Sequence, residues 1–113
     1  MSHKVLLVLT NLPDSASARR MAEALIENRA AACVNILAEC NSVYRWQGKV
    51  DSSTEVPLLI KTTQDAYPRL EAIIRSNHPY ELPEIIAVPV DNGFPGYLKW
   101  VAQETQMPEN ESN

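Results

Sequence analysis

The chain has 113 residues, 45% hydrophobic and 21% charged, which fits one globular domain with a modest core. Ten Lys and Arg against fourteen Asp and Glu leave a net charge of −4, which argues against a nucleic-acid partner needing a basic face. No apolar run approaches the ~20 residues of a membrane-spanning helix, so no membrane partner is expected.

Residues 5–10 are β-prone and are closed by the turn formers Asn11-Leu12-Pro13-Asp14-Ser15, predicting a first strand. Asp14 or Ser15 can cap the following helix, in which Ala18, Met21, Ala22, Leu25 and Ile26 recur at three- and four-residue spacing. That helix is expected to fade near Asn28-Arg29. Residues 32–37 open a second strand, interrupted over 38–41 and resumed over 42–46. Gln47-Gly48 supplies a two-residue turn, and the return strand runs from Lys49 through Glu55 to Thr62. Pro57 removes one ladder donor, so an edge or a bulge is expected there. Thr63 or Asp65 can cap the second helix; Pro68, tolerable only in the first turn, favours Asp65. Ala66, Leu70, Ile73 and Ile74 form its apolar side. A proline-bracketed loop over 78–84 precedes a fourth strand over 85–90, and Pro95 opens a short third helix with Tyr97, Leu98 and Val101. Residues 1–106 are expected to form a single domain, and 107–113 a polar tail with no reason to order.

The string is an α+β order, βαββαβ, that of the ferredoxin-like fold with a long hairpin between its second and third strands and an extra C-terminal helix. Both main helices then lie on one face of an antiparallel sheet. The first strand is apolar on both sides, with Val5, Leu7 and Leu9 opposite Leu6 and Val8. A strand apolar on both faces expects cover on both, and an uncovered apolar face exceeds what monomers usually expose. The patterning therefore predicts an obligate oligomer, with the hairpin reaching across to a neighbour.

Five ordered motifs carry a family likeness. They are Ala30-Ala31-Ala32-Cys33-Val34-Asn35-Ile36, Ser42-Val43-Tyr44-Arg45-Trp46-Gln47-Gly48-Lys49, Leu59-Ile60-Lys61-Thr62, His78-Pro79-Tyr80-Glu81-Leu82-Pro83-Glu84-Ile85 and Tyr97-Leu98-Lys99-Trp100. In order and spacing they resemble the CutA divalent-cation-tolerance family over residues 4–103. The resemblance implies a ferredoxin-like protomer, a homotrimer similar to that of PII-type signalling proteins, a cytoplasmic setting in bacteria, and association with copper or other divalent cations. The copper site it implies draws also on a Cys ending the first strand and a second His before the His-Pro-Tyr run. Thr10 and Asn77 stand at those positions here, leaving His78.

His78 is the main candidate for metal, since imidazole suits Cu(II) and Zn(II), with Glu81 and Glu84 three and six residues on. The alternative is an imidazole that hydrogen-bonds structurally where the second helix ends. Tyr44 and Trp46 share one strand face and read either as trimer packing or as walls of an inter-subunit pocket with Lys61, Tyr80 and Trp100. Lys61 ends an apolar strand, so its ammonium needs a carboxylate, Glu55 or Glu84, or a small anionic ligand. Cys33 and Cys40 are too few for a disulfide framework and are expected as reduced thiols; the first residues, Met1-Ser2-His3-Lys4, lack a signal-peptide layout. Cys33 reads as a core residue and Cys40 as a more exposed loop thiol. No Ser-His-Asp set, Gly-rich phosphate loop or HExxH motif occurs, so no enzymatic activity is expected. The expected function is a non-enzymatic homotrimer linked to metal tolerance with weak metal binding, or alternatively a PII-like adaptor binding a small anion at subunit clefts.

Overall fold

The computed structural model describes residues 4–108. His3 and residues 109–113 of the expected tail lie outside the described residues. The elements run β1 (Val5–Leu12), α1 (Ser15–Glu27), β2 (Cys33–Ile36), β3 (Cys40–Trp46), β4 (Lys49–Thr63), α2 (Tyr67–Asn77), β5 (Ile86–Pro89) and α3 (Pro95–Glu104). This is a mixed α+β arrangement around an antiparallel sheet ordered β2-β4-β1-β5, with β3 pairing the first half of β4.

Asp14 is the cap of α1, its carboxylate accepting the Ser17 N–H at 2.7 Å. That bond to the backbone amide, more than any charge, holds the Asp14 carboxyl below its ordinary value. At the other end Arg29 adopts φ 54°, and the turn delivers Ala30 and Ala31 into the core, with Ala30 N–H and Ala31 N–H both reaching Leu25 O. Both alanines are buried there, whereas Ala32, the third of the run, is half-buried. Arg69 from α2 clamps the same turn, donating to Asn28 O, Arg29 O and, across to α3, Thr105 O. The Gln47-Gly48 turn has both residues at positive φ, 50° and 79°, the twist that a tight hairpin requires.

Two sequence expectations change here. The cap of α2 is Ala66 rather than Asp65; the Ala66 N–H is met instead by the Thr63 hydroxyl at 3.2 Å, while Pro68 does sit in the first turn. Pro57 lies on a central strand, paired with Asn11 of β1. Its carbonyl accepts from Leu37 N–H, so its missing donor also faces the β2 side, where the chain breaks between β2 and β3. The irregularity falls on the neighbour, not on the proline strand.

Leu6, Val8, Leu12, Leu58, Ile60, Leu25, Leu70 and Ile74 form one buried cluster between the sheet and α1 and α2. The opposite face carries Leu7, Leu9 and Leu59, joined through the register by Val88 and Ile86 of β5. Those last two remain 49% and 53% exposed. The face is not bare throughout. α3 covers one end of it, where Val5 and its partner Thr63 are buried and Thr63 Oγ1 lies 3.4 Å from Thr105 Oγ1. No helix among the described residues is long and apolar enough to cross a membrane.

Candidate functional site

His78 follows α2 directly, as its C-cap residue. Its Nδ1 accepts the Tyr80 N–H at 3.1 Å, so the ring proton of the neutral imidazole sits on Nε2 and is donated to Asn11 O at 2.6 Å. The Tyr80 ring leans on the imidazole at 4.7 Å. Glu84 joins from the other side, accepting from Asn11 Nδ2 at 3.2 Å. Asn11, read from the sequence only as a turn former, is thus the residue that brings His78 and Glu84 together. Glu81 is exposed. Thr10 is fully buried on the helix side of the sheet, and its Oγ1 has no hydrogen-bond partner. Asn77 bonds back to Ile73 O.

With both imidazole nitrogens engaged, His78 offers no lone pair to a cation until Tyr80 N–H lets go. Among the described residues no group of three or more His, Cys, Asp or Glu side chains is placed to hold a metal ion.

Tyr80 has a second attachment. Burial foremost, then the neighbouring Glu55 carboxylate, pushes the phenol up to about 12. Glu55 is itself buried, and Tyr44 lies within electrostatic reach. Glu55 is consequently occupied by Tyr80 and is not the partner expected for Lys61. Nor is Glu84. The Lys61 ammonium donates to Asn35 Oδ1 and approaches Cys33 Sγ at 4.0 Å, both on β2 directly across or diagonal from it. Among the described residues it is seen with no carboxylate within ion-pair distance, unlike Arg19, which pairs with Glu23 at 3.1 Å.

Within the single chain the five expected pocket residues do not gather in one place. Tyr44 and Trp46 are exposed on the hairpin, where Tyr44 pairs with Asp51 and donates to Ser53 Oγ at 3.2 Å. Asp51 and Lys61 are separated along β4 by roughly 33 Å at ~3.3 Å per residue. Tyr80 is with Glu55. Trp100 is on α3, stacked near Tyr97 at 5.6 Å. Burial foremost, then the nearby Cys33 thiol, raises the Tyr97 phenol above its ordinary value. Cys40 is not a loop thiol: it begins β3 and is half-buried, 3.9 Å from Ser42 Oγ.

Residues 6–104 match the family described as CutA1 divalent ion tolerance protein. The chain is 46% identical to the divalent-cation tolerance protein CutA of Thermus thermophilus over 88% of this chain and 96% of that one. It is 44% identical to mouse protein CutA over 87% of this chain, and spans just over half, 55%, of that longer relative. A solved structure of the divalent cation tolerance protein from Thermus thermophilus superposes with a TM-score of 0.89 at 44% identity, covering 90% and 99% of the two chains.

The expected cytoplasmic setting does not stand. An Arabidopsis relative, 37% identical over 89% of this chain and 56% of its own length, is named chloroplastic. A structural relative from Archaeoglobus fulgidus, TM-score 0.87 at 28% identity and covering 90% and 99% of the chains, is described as periplasmic. The shared motifs belong to the packed domain, and a packed domain folds alike in different compartments.

Proposed function

Because the chain belongs to the CutA1 divalent ion tolerance family, we propose that it acts, without catalysis, in tolerance of divalent metal, copper included, as a homotrimer of ferredoxin-like protomers. The observation that carries the metal reading is the meeting of His78 and Glu84 at Asn11, with Glu81 nearby in the same loop. Metal association is weak, because an incoming cation has to displace Tyr80 N–H from the imidazole and recruit further ligands from a neighbouring protomer. The trimer reading is supported by the apolar sheet face of Leu7, Leu9, Leu59, Ile86 and Val88, which α3 covers only at one end. Calorimetric titration with Cu(II) at neutral pH is the direct test. His78→Ala should lose most of the heat, and an unchanged isotherm would remove His78 from the metal reading. Light scattering after size exclusion tests the assembly, and a stable monomer would refute it.

A second reading has its own observation. Lys61 is a half-buried ammonium on an apolar sheet face whose partners, Asn35 and Cys33, are neutral. Such a cation favours a small anion in a cleft between protomers, in the manner of a PII-like adaptor, walled by Tyr44, Trp46, Tyr80 and Trp100 from neighbouring chains. A thermal-shift screen of anionic metabolites distinguishes it: Lys61→Ala and Tyr44→Ala should each abolish a shift that the wild-type protein gives.

A further inference from the structure

β5 ends at Pro89, and just past its last ladder pair the Val90 N–H donates to Val5 O at 2.9 Å. From there Asp91-Asn92-Gly93-Phe94 runs in irregular backbone to α3, and all four residues are exposed. Asparagines elsewhere are held. Asn11 Nδ2 donates to Glu84, Asn28 Nδ2 to Ala24 O and Asn77 Nδ2 to Ile73 O, while Asn35 Oδ1 accepts from Lys61. Asn41 sits in the β3–β4 ladder opposite Thr54. Asn92 lies outside helix and strand, and among the described residues neither its carboxamide nor the Gly93 N–H takes part in a hydrogen bond. Asn92 is also followed by glycine, so no Cβ shields the next amide nitrogen; the other five precede Leu12, Arg29, Ile36, Ser42 and His78. Packing keeps Gly93 a glycine, because a Cβ there would come within 3.0 Å of Leu98 Cδ2. The segment links β5 to α3 beyond the open apolar face of Leu7, Leu9, Leu59, Ile86 and Val88, so a protomer packed on that face does not have to bury it.

We infer that Asn92-Gly93 is a site of spontaneous covalent modification, where asparagine becomes aspartate and isoaspartate through a cyclic imide. The co-reactant is water. The Gly93 amide nitrogen gives its proton to solvent base and attacks Asn92 Cγ. The N–Cγ bond forms as the Cγ–Nδ2 bond breaks, and the leaving nitrogen takes a proton from solvent and departs as ammonia. Water then adds to one of the two ring carbonyls. Addition at Cγ breaks the new N–Cγ bond and gives aspartate. Addition at the main-chain carbonyl breaks the original peptide bond and gives isoaspartate, with the chain now running through Cγ. No electrons change hands, and carboxamide plus water gives carboxylate plus ammonium. Each conversion adds one negative charge next to Asp91. The isoaspartyl product also inserts one extra carbon into the main chain just before α3, the helix whose Thr105 meets Thr63 over the end of the sheet.

The experiment incubates the full chain, folded and assembled, at mildly alkaline pH and follows each asparagine by mass spectrometry after cleavage at glutamate. Cleavage at Glu84 and Glu104 releases residues 85–104, in which Asn92 is the one asparagine, and fragmentation tells aspartate from isoaspartate. Asn92 should convert about tenfold faster than any other asparagine among the described residues. Asn92→Gln, whose ring closure has to be six-membered, should lose the conversion in that peptide and leave the other asparagines unchanged. A faster conversion at Asn41 or at another described asparagine would overturn the inference. So would conversion in the 85–104 peptide that persists in Asn92→Gln. If that variant fails to fold by circular dichroism, the wild-type chain decides, compared folded and in urea. A folded-state rate within about tenfold of the unfolded rate supports the site, and stronger protection would show that the fold or the assembly shields Asn92 and would overturn it.

Discussion

The imidazole of His78 holds the carbonyl of Asn11 at 2.6 Å, joining residues 67 positions apart. With Nδ1 taken by Tyr80 N–H, the ring ties the end of α2 to the end of β1. His78→Ala leaves a part-buried carbonyl and an amide unpaired, and should cost about 1–3 kcal/mol in urea unfolding. If Cu(II) enters through Nδ1, hydrogen exchange of the Tyr80 amide should quicken as copper is added. An amide that stays protected while copper binds would place the metal elsewhere.

Tyr80 and Glu55 make stability depend on alkaline pH. The folded phenol is raised from its ordinary value of 10.0 to about 12, chiefly by burial. Between those values the unfolded chain loses this proton while the folded chain keeps it, so the contribution is whole below pH 10 and disappears as pH climbs through 12. Discounted for the exposure of the ring, the effect is about 1 kcal/mol. Tyr80→Phe should flatten the difference in unfolding free energy measured from about pH 9 to about 12. Parallel curves for the two proteins would rule the coupling out.

Thr10 sits in the core with an unpartnered hydroxyl. Valine has nearly the same shape and no polar atom, so Thr10→Val should stabilise the fold by about 1 kcal/mol and raise the melting temperature. A lower melting temperature would mean that the hydroxyl does find a partner in solution.

Arg69 joins three chain segments through the carbonyls of Asn28, Arg29 and Thr105. A lysine keeps the charge but not the planar fork. Arg69→Lys should therefore cost about 1–3 kcal/mol in the urea transition, with the sheet unaffected by circular dichroism. A variant as stable as the wild type would reduce the clamp to an incidental contact.

How far the sequence could be read follows from the range of each interaction. The α1 pattern, the Asp14 cap and the Gln47-Gly48 turn depend on residues within four positions of each other, and they stand as expected except that Ile26, read with the apolar side of α1, is exposed. The motifs also carried the family. His78 with Glu84 was legible as a pair of ligand types, but Asn11, which unites them, carried no signal beyond its place in a turn. Lys61 was matched to Glu55 or Glu84 on charge alone, and found Asn35 and Cys33 because the β2–β4 register sets them beside it.

The strand and helix periods determined the α+β order and the two-faced apolar first strand, and the five motifs carried the likeness to the family. Only the tertiary structure decided that α3 covers one end of the second sheet face, that both nitrogens of His78 are spent on backbone, and that Glu55 belongs to Tyr80. The reason is physical. Periodicity is written in neighbouring residues, whereas strand register and loop closure assign partners far along the chain, and one ladder pairing settles many contacts at once.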